Sequence, residues 1–166
     1  MLHTGPVDRM GRPGQHDAPV PDVFREAAQA RRIISISHCF ERFVGRGLVT
    51  SGGDTIEAMW NAPCVILAHG LEADPVLYFG NQYALDVFEM DLPAFLAMPS
   101  RLTAEAPERD ERQRLLDRVR ADGFIDDYSG VRISATGRKF RIEKAIVWNV
   151  VGDEGRRIGQ AAAFSL

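Results

Sequence analysis

Apolar and polar residues alternate along the segment GRKFRIEKAIVWNV, from Gly137 to Val150. A period of two is typical of a β-strand with one face against a core. The predicted apolar face carries Phe140, Ile142, Lys144, Ile146, Trp148 and Val150, and the polar face carries Arg141, Glu143 and Asn149. Lys144 is then the one charge on the apolar face, where it is either paired with a ligand or neighbour, or exposed at a strand end.

Further strands surround this segment, which itself is predicted to run from Lys139 to Val151. The four others are Cys64 to Ala68, Val76 to Phe79, Phe124 to Ser134 and Arg157 to Leu166. Turn residues separate them at Asp74-Pro75, at Ala135 to Gly137 and at Gly152 to Gly155, all suited to hairpins. Two strands followed by helices and three antiparallel strands predict an α+β fold with one antiparallel sheet.

Helix signals lie between the second and third predicted strands. Asn81 and Asp91 are N-cap residues for two short helices. Pro107 begins a charged helix, Glu108 to Ala121, and Gly123 ends it. The apolar stripe of this helix is narrow and consists of Leu115, Leu116 and Val119.

Residues 21–60 are predicted to be an N-terminal helical extension. Asp22 offers the N-cap of a long helix, and Asp54 with Glu57 has capping-box spacing for a short second helix. The stripe of the long helix is wide and includes Phe24, Ala27, Ala28, Arg31, Ile33, Ile34, Ile36, Phe40, Phe43 and Val44. A wide stripe predicts two contacts, one with the domain and one with a partner.

Composition excludes several classes of protein. A chain of 166 residues can form one domain with its own core, and its net charge of −3 gives no electrostatic basis for direct nucleic-acid binding. No apolar run approaches the roughly 20 residues that cross a bilayer, so we expect no membrane association and a cytoplasmic location. Residues 1–20, rich in Gly and Pro, are predicted to be a disordered tail. Cys39 and Cys64 are expected to be free buried thiols.

Four blocks of sequence carry a resemblance to a known family. They are HGLEADPVLYFGNQYALDVFEM (His69 to Met90), PSRLTAE (Pro99 to Glu105), GFIDDYSGVRIS (Gly123 to Ser134) and GRKFRIEKAIVWNV (Gly137 to Val150). Residues 61–166 resemble the MEKHLA domain, a PAS-like family found at the C-terminus of some plant homeodomain-zipper regulators and as free-standing bacterial proteins. We expect the chain to be of the free-standing bacterial type, and we carry over no DNA recognition from the plant relatives.

The resemblance implies a five-stranded antiparallel sheet with short helices over one face and a hollow between them, in which PAS relatives hold ligands or chromophores. Candidates for a ligand site are His69, Tyr83, Phe88, Arg101, Tyr128, Lys144 and Trp148. Arg101 either clamps a ligand carboxylate or pairs with Glu105 or Asp127. The aromatic candidates either stack on a planar ligand or belong to the core.

The cofactor, if there is one, stays open. Covalent flavin chemistry of the LOV type needs an Asn-Cys-Arg-Phe setting, which neither Cys39 nor Cys64 has, and haem of the usual PAS type needs a His in the helix at 108–121, which has none. His69 is either a hydrogen-bonding residue of a turn or pocket, or a metal or haem ligand. A cation site is not expected from the loop carboxylates Glu72, Asp74, Asp126 and Asp127, whose spacing matches no known oxygen-ligand loop.

We expect a PAS-like sensory module that binds a small molecule in the hollow. It would signal by homodimerisation through the N-terminal helix and the sheet, or by contact with an unidentified effector protein. One alternative is a pure protein-interaction domain with a core filled around Phe79, Phe88, Ile146 and Trp148. A more remote alternative is a small acid–base enzyme that uses His69 with Glu72 or Asp74. The sequence contains no nucleophile elbow, Walker loop or Cys-x-x-Cys motif.

Overall fold

The computed structural model of the chain describes residues 18–50, 52–104 and 106–166, without the side chains of residues 106–109. The predicted disordered tail falls on residues 1–20, of which 1–17 lie outside the described residues. No helix in the described ranges has both the length and the apolar character that a membrane crossing requires.

The described residues form five α-helices and five β-strands. The helices are α1 (Ala27–Val44), α2 (Thr55–Trp60), α3 (Gln82–Phe88), α4 (Leu92–Phe95) and α5 (Ala106–Asp122). The strands are β1 (Val65–His69), β2 (Leu77–Gly80), β3 (Phe124–Ile133), β4 (Lys139–Val151) and β5 (Arg157–Phe164). All neighbouring strands are antiparallel, in the spatial order β2-β1-β5-β4-β3. The predicted α+β class with a five-stranded antiparallel sheet is confirmed.

The sheet lies between two helical layers, each with its own apolar core. α1 and α2 pack on one face, in a core that includes Phe40, Met59 and Trp148. α3, α4 and α5 pack on the other face, in a core that includes Phe88 and Val119. The predicted contact of the N-terminal helix with the domain is therefore made with the sheet, on the side opposite α3, α4 and α5.

α1 begins later than the sequence predicted. Asp22 does not cap it, because Asp22–Arg25 forms a separate 3-10 helix and Glu26 then adopts extended backbone. The buried residues of α1 are Ile33, Ile36, Cys39 and Phe40, and they belong to the core shared with the sheet. Ala27, Ala28 and Arg31 of the predicted stripe are exposed. The apolar side of α1 is therefore directed at its own sheet.

Three predicted N-caps are confirmed: the side chains of Asp54, Asn81 and Asp91 accept hydrogen bonds from the first turns of α2, α3 and α4. Asn81 is fully buried and does more than cap a helix. Its amide also makes hydrogen bonds to the backbone of Ile66, Met59 and Cys64. One side chain thus ties α2, β1 and α3 together.

β4 departs from the predicted alternation at Lys144. Between the pairs Tyr128–Ala145 and Gly130–Ile142, β4 has two residues where β3 has one. This is a β-bulge, and Lys144 adopts the left-handed conformation there, with φ of +52°. A bulge inserts an extra residue, so the side chains on its two sides change phase.

The phase change moves the even-numbered residues of β4 from one core to the other, and the odd-numbered residues after the bulge take their former side. The core on the α5 side contains Phe140, Ile142, Ala145 and Val147. The core under α1 contains Ile146, Trp148 and Val150. The prediction that all the apolar residues of this strand share one face is therefore wrong. Asn149, predicted on the polar face, is buried and donates from Nδ2 to the carbonyl of Val119 at 3.0 Å.

Candidate ligand-binding cavity

A cavity of about 60 Å³ lies on the α5 side of the sheet. Its apolar lining includes Leu67, Leu77, Phe88, Leu115, Ile142, Val147 and Phe164. Its polar lining consists of His69, Ser100, Thr103, Arg112, Tyr128, Arg132 and Gln160. On the scale of about 10–15 Å³ for each water-sized group, the cavity has room for only a small occupant.

Arg112 reaches the cavity from α5 and is only 9% exposed. Its Nη2 donates a hydrogen bond to Ser100 Oγ at 2.7 Å. The residue lies three positions before Leu115 and seven before Val119, so it shares their buried helix face. Burial, and then the nearby charge of Arg132, lower the pKa of Arg112 to about 10. The guanidinium therefore stays protonated at neutral pH.

Arg132 reaches the cavity from β3 and is 8% exposed. It lies over the ring of Tyr128, 5.0 Å from its centroid, and donates to the Tyr128 hydroxyl and to the carbonyl of Val131. Within the described part of the chain, no carboxylate lies at salt-bridge distance from Arg132 or Arg112. The cavity wall thus carries two positive charges and, among its lining residues, no negative charge.

His69, at the end of β1, contributes an unsatisfied acceptor. Its Nδ1 lies 2.9 Å from the carbonyl of Gly70, which can only accept, so Nδ1 holds the proton and Nε2 carries a lone pair. Burial above all, together with the charges of Arg112 and Arg157, lowers the pKa of His69 to about 4. The ring is neutral at physiological pH. Its Nε2 is buried and finds no hydrogen-bond partner among the described residues.

Gln160 on β5 contributes a second such acceptor and is 2% exposed. Its Nε2 donates to the carbonyl of Leu116 on α5 at 3.1 Å and to Asn149 Oδ1 at 3.3 Å. Its Oε1 is buried without a partner in the ranges that the structure describes. Leaving a buried acceptor unpaired costs about 1–3 kcal/mol. His69 and Gln160, which carry these two unpaired acceptors, both line the cavity.

The structure brings only some of the predicted site residues together. His69, Phe88 and Tyr128 line the cavity. Tyr83 is half-buried and packs against the core on the same side without reaching the cavity. Lys144 is exposed at the bulge, which agrees with the exposed alternative for this residue rather than with a place in the pocket.

Arg101 also lies away from the cavity. It is exposed on the 3-10 helix Ser100–Thr103, and its Nε donates to Asp74 Oδ1 at 3.1 Å. The predicted partner Asp127 instead faces Arg118 at 4.0 Å, and Glu105 lies outside the described residues. The neighbouring Ser100, rather than Arg101, turns into the site.

Trp148, another predicted site residue, is buried on the opposite face of the sheet. Its ring packs edge-on against Phe40 of α1, with centroids 4.9 Å apart. The bulge at Lys144 causes this placement, because it reverses the phase of the strand before Trp148. Trp148 therefore serves the interface between β4 and α1 and does not contact the cavity.

The structure also shows the surroundings of the two cysteines and of the carboxylates predicted near His69. Cys39 is buried and Cys64 is half-buried, and both are free thiols. Neither Glu72 nor Asp74 is hydrogen-bonded to His69: Glu72 accepts from the backbone of Val76, and Asp74 pairs with Arg101. No group of His, Cys, Asp and Glu side chains suited to a metal ion occurs in the portion of the chain that the structure covers.

Known structures with this architecture are PAS and LOV domains. The PAS domain of a protein from Colwellia psychrerythraea has a TM-score of 0.55 and 12% identity, covering 65% of this chain and 89% of that one. The photo-excited blue-light photoreceptor Vivid has a TM-score of 0.57 and 11% identity, covering 81% and 94%. These similarities establish that the chain has a PAS/LOV-like fold.

Within that fold class, the chain belongs to the MEKHLA domain family, whose model matches residues 30–166. The homeobox-leucine zipper protein HOX29 of Oryza sativa subsp. indica is 31% identical over 144 residues, which are 83% of this chain and 16% of that protein. ATHB-14 of Arabidopsis thaliana, also a homeobox-leucine zipper protein, is 31% identical over 149 residues, 86% of this chain and 18% of that protein. The chain thus spans less than a fifth of the length of these curated relatives.

Proposed function

We propose that this chain is a sensory or regulatory module that binds a small molecule in the cavity between the sheet and α5. The observation that carries the proposal is a cavity bordered by buried polar groups that no described residue satisfies, above all His69 Nε2 and Gln160 Oε1. Buried polar groups in folded proteins are nearly always hydrogen-bonded, so a cavity with two orphan acceptors is suited to an added ligand. The PAS/LOV-like fold supports the same function.

The same residues suggest how a ligand changes the protein. Gln160 and Asn149 donate to the carbonyls of Leu116 and Val119, so two side-chain hydrogen bonds hold α5 on the sheet. A ligand that bonds to the Gln160 amide reorients a group on which α5 depends. We propose that α5 shifts on binding, and that a homodimer partner or an effector protein detects the shift.

Dimerisation through α1 and the sheet stays a prediction. One structural neighbour at 11% identity is the light-state dimer of the fungal photoreceptor Vivid, which supports a dimer for this fold without assigning an interface here. Light scattering over a range of concentrations tests it, and a monomer mass throughout would contradict it. The free-standing bacterial type and the cytoplasmic location likewise stay predictions.

The proposed function is tested by native mass spectrometry of freshly purified protein, together with an absorbance scan through the near-ultraviolet and visible range. A reproducible extra mass, or a coloured species, is expected if the ligand copurifies. A fragment screen by ligand-observed NMR covers the case in which the ligand is lost on purification. A bare mass and no bound fragment would refute the proposal and favour a pure protein-interaction domain. This experiment detects a bound molecule of any chemical class and does not assume a particular cofactor.

A further inference from the structure

We infer that the cavity binds a small hydroxycarboxylate, an organic acid of about five or six non-hydrogen atoms, whose carboxylate is held by Arg112 and Arg132. This inference rests on the proposed function and names the chemical class of the ligand for the same cavity. The inferred ligand has three parts: a negative charge, a hydroxyl group and a short apolar body. Each part complements a different set of residues in the cavity wall.

The charge follows from the two arginines. Arg112 and Arg132 are each more than nine-tenths buried, and neither has a carboxylate partner among the residues whose side chains are described. Each guanidinium keeps hydrogen-bond donors beyond those used on Ser100, Tyr128 and the backbone, because an arginine has five. A buried charge without a counter-ion is strongly unfavourable, and a planar carboxylate matches the guanidinium fork in shape.

The hydroxyl group follows from the two orphan acceptors. His69 Nε2 and Gln160 Oε1 both need a donor, and an ionised carboxylate has none. A hydroxyl beside the carboxylate supplies one donor, which can pair with either of the two acceptors. His69 and Arg112 both line this small cavity, so one small molecule can contact both.

The apolar body follows from the rest of the wall. Leu115, Ile142 and Phe164 line the cavity with carbon and offer no hydrogen bonds from their side chains. A phosphate ion presents charged oxygens on all sides and would desolvate some of them against this surface. A short alkyl group fills that space at no such cost, which favours an organic acid over an inorganic anion.

The binding test uses isothermal titration of the full chain with four probes. Lactate has the charge, the hydroxyl and a methyl group. Lactamide keeps the hydroxyl and loses the charge, propionate keeps the charge and loses the hydroxyl, and inorganic phosphate lacks the apolar part. We expect lactate to bind most tightly, with lactamide and propionate each weaker by about tenfold or more, since each loses a buried polar interaction.

The site is tested with matched arginine variants. Arg112→Met should weaken lactate at least about tenfold while leaving lactamide nearly unchanged, because the lost interactions are those to a charged group. Arg114→Met is the control, since Arg114 is exposed on the same helix and the same charge is removed. Circular dichroism checks whether Arg112→Met is folded. If it is not, Arg132→Met gives a second measurement.

The outcomes separate the inference from the proposed function. Equal affinities for lactate and lactamide, or binding of phosphate alone, would overturn the hydroxycarboxylate and leave a ligand-binding module in place. Equal lactate affinities for Arg112→Met and Arg114→Met would also overturn it, because binding would then lie elsewhere. If no probe and no other small molecule binds to the protein, the proposed function fails together with the inference.

Discussion

The indole Nε1 of Trp148 lies 3.0 Å from the carbonyl oxygen of Ile36 and donates a hydrogen bond to it. Both residues are fully buried, and the bond crosses from β4 to α1. An indole N–H is usually paired when it is buried, and here the partner is the backbone of the packed helix. The bond therefore fixes where α1 sits on the sheet.

Replacing Trp148 by Phe should lower the free energy of unfolding by about 2–4 kcal/mol, through the lost hydrogen bond and the space left by the smaller ring. Trp60→Phe is the matched control. Trp60 is also buried, but its Nε1 has no partner among the described residues, so this change should cost about 1 kcal/mol less. Urea unfolding measures both. Equal losses in the two variants would contradict the role given to the Trp148 bond.

His69 should make stability depend on pH. Its pKa is 6.5 in the unfolded chain and about 4 in the folded protein, so the unfolded state takes up the proton first. The contribution of the neutral His69 to the free energy of unfolding is fully present above pH 6.5. It falls as the pH drops towards 4, by about 3 kcal/mol at the lower end. His69→Asn has no titrating ring and should lack this part of the dependence.

Chemical denaturation of both proteins at several pH values between 4 and 7 checks the His69 prediction. The difference between wild type and variant is the quantity of interest, because other groups titrate in both. Parallel curves for the two proteins would show that the folded state does not disfavour the charged imidazole.

Lys144→Gly should be neutral or stabilising by up to about 1 kcal/mol, because glycine adopts a positive φ without a steric penalty. Glu143→Gly is the control one residue earlier, where no positive φ occurs and glycine should destabilise the strand. Thermal unfolding of the two variants distinguishes them. A loss at Lys144 as large as that at Glu143 would indicate that the lysine side chain itself is needed.

Without ligand, Arg112→Met should stabilise the protein by about 1–2 kcal/mol, because an apolar side chain of similar length replaces a buried charge that has no described counter-ion. Arg114→Met should change stability by less than about 0.5 kcal/mol, as surface substitutions usually do. Differential scanning calorimetry of the ligand-free proteins gives both values. A marked destabilisation by Arg112→Met would mean that the charge is already compensated within the protein.

Local sequence patterns predicted most of the fold. The caps at Asp54, Asn81 and Asp91 and the bounds of β4 are encoded by neighbouring residues, so they could be found without tertiary information. The bulge at Lys144 could not be found in this way. An extra residue in a strand leaves the apolar pattern of the sequence almost unchanged, while it moves the side chains that follow to the opposite face of the sheet. That reversal is why the alternating pattern predicts Trp148 in the pocket, whereas the structure places it under α1.

The two buried arginines were also missed. Arg112 lies in a helix full of charges, where arginine is ordinarily exposed, and its contact with Ser100 depends on tertiary packing. A usable sign was present nonetheless, since Arg112 has helical spacing to the apolar stripe at Leu115 and Val119. Arg132 has the strand spacing that places it on the same face as Tyr128, which was identified.

β4 presents Val147 to the cavity and the next residue, Trp148, to α1. The Cα atoms of two adjacent residues are about 3.8 Å apart, so the cavity and α1 contact the same short stretch of backbone. A ligand that displaces Val147 therefore also displaces the backbone of Trp148. The hydrogen bond from Trp148 to Ile36, which positions α1 on the sheet, would be strained by the same movement.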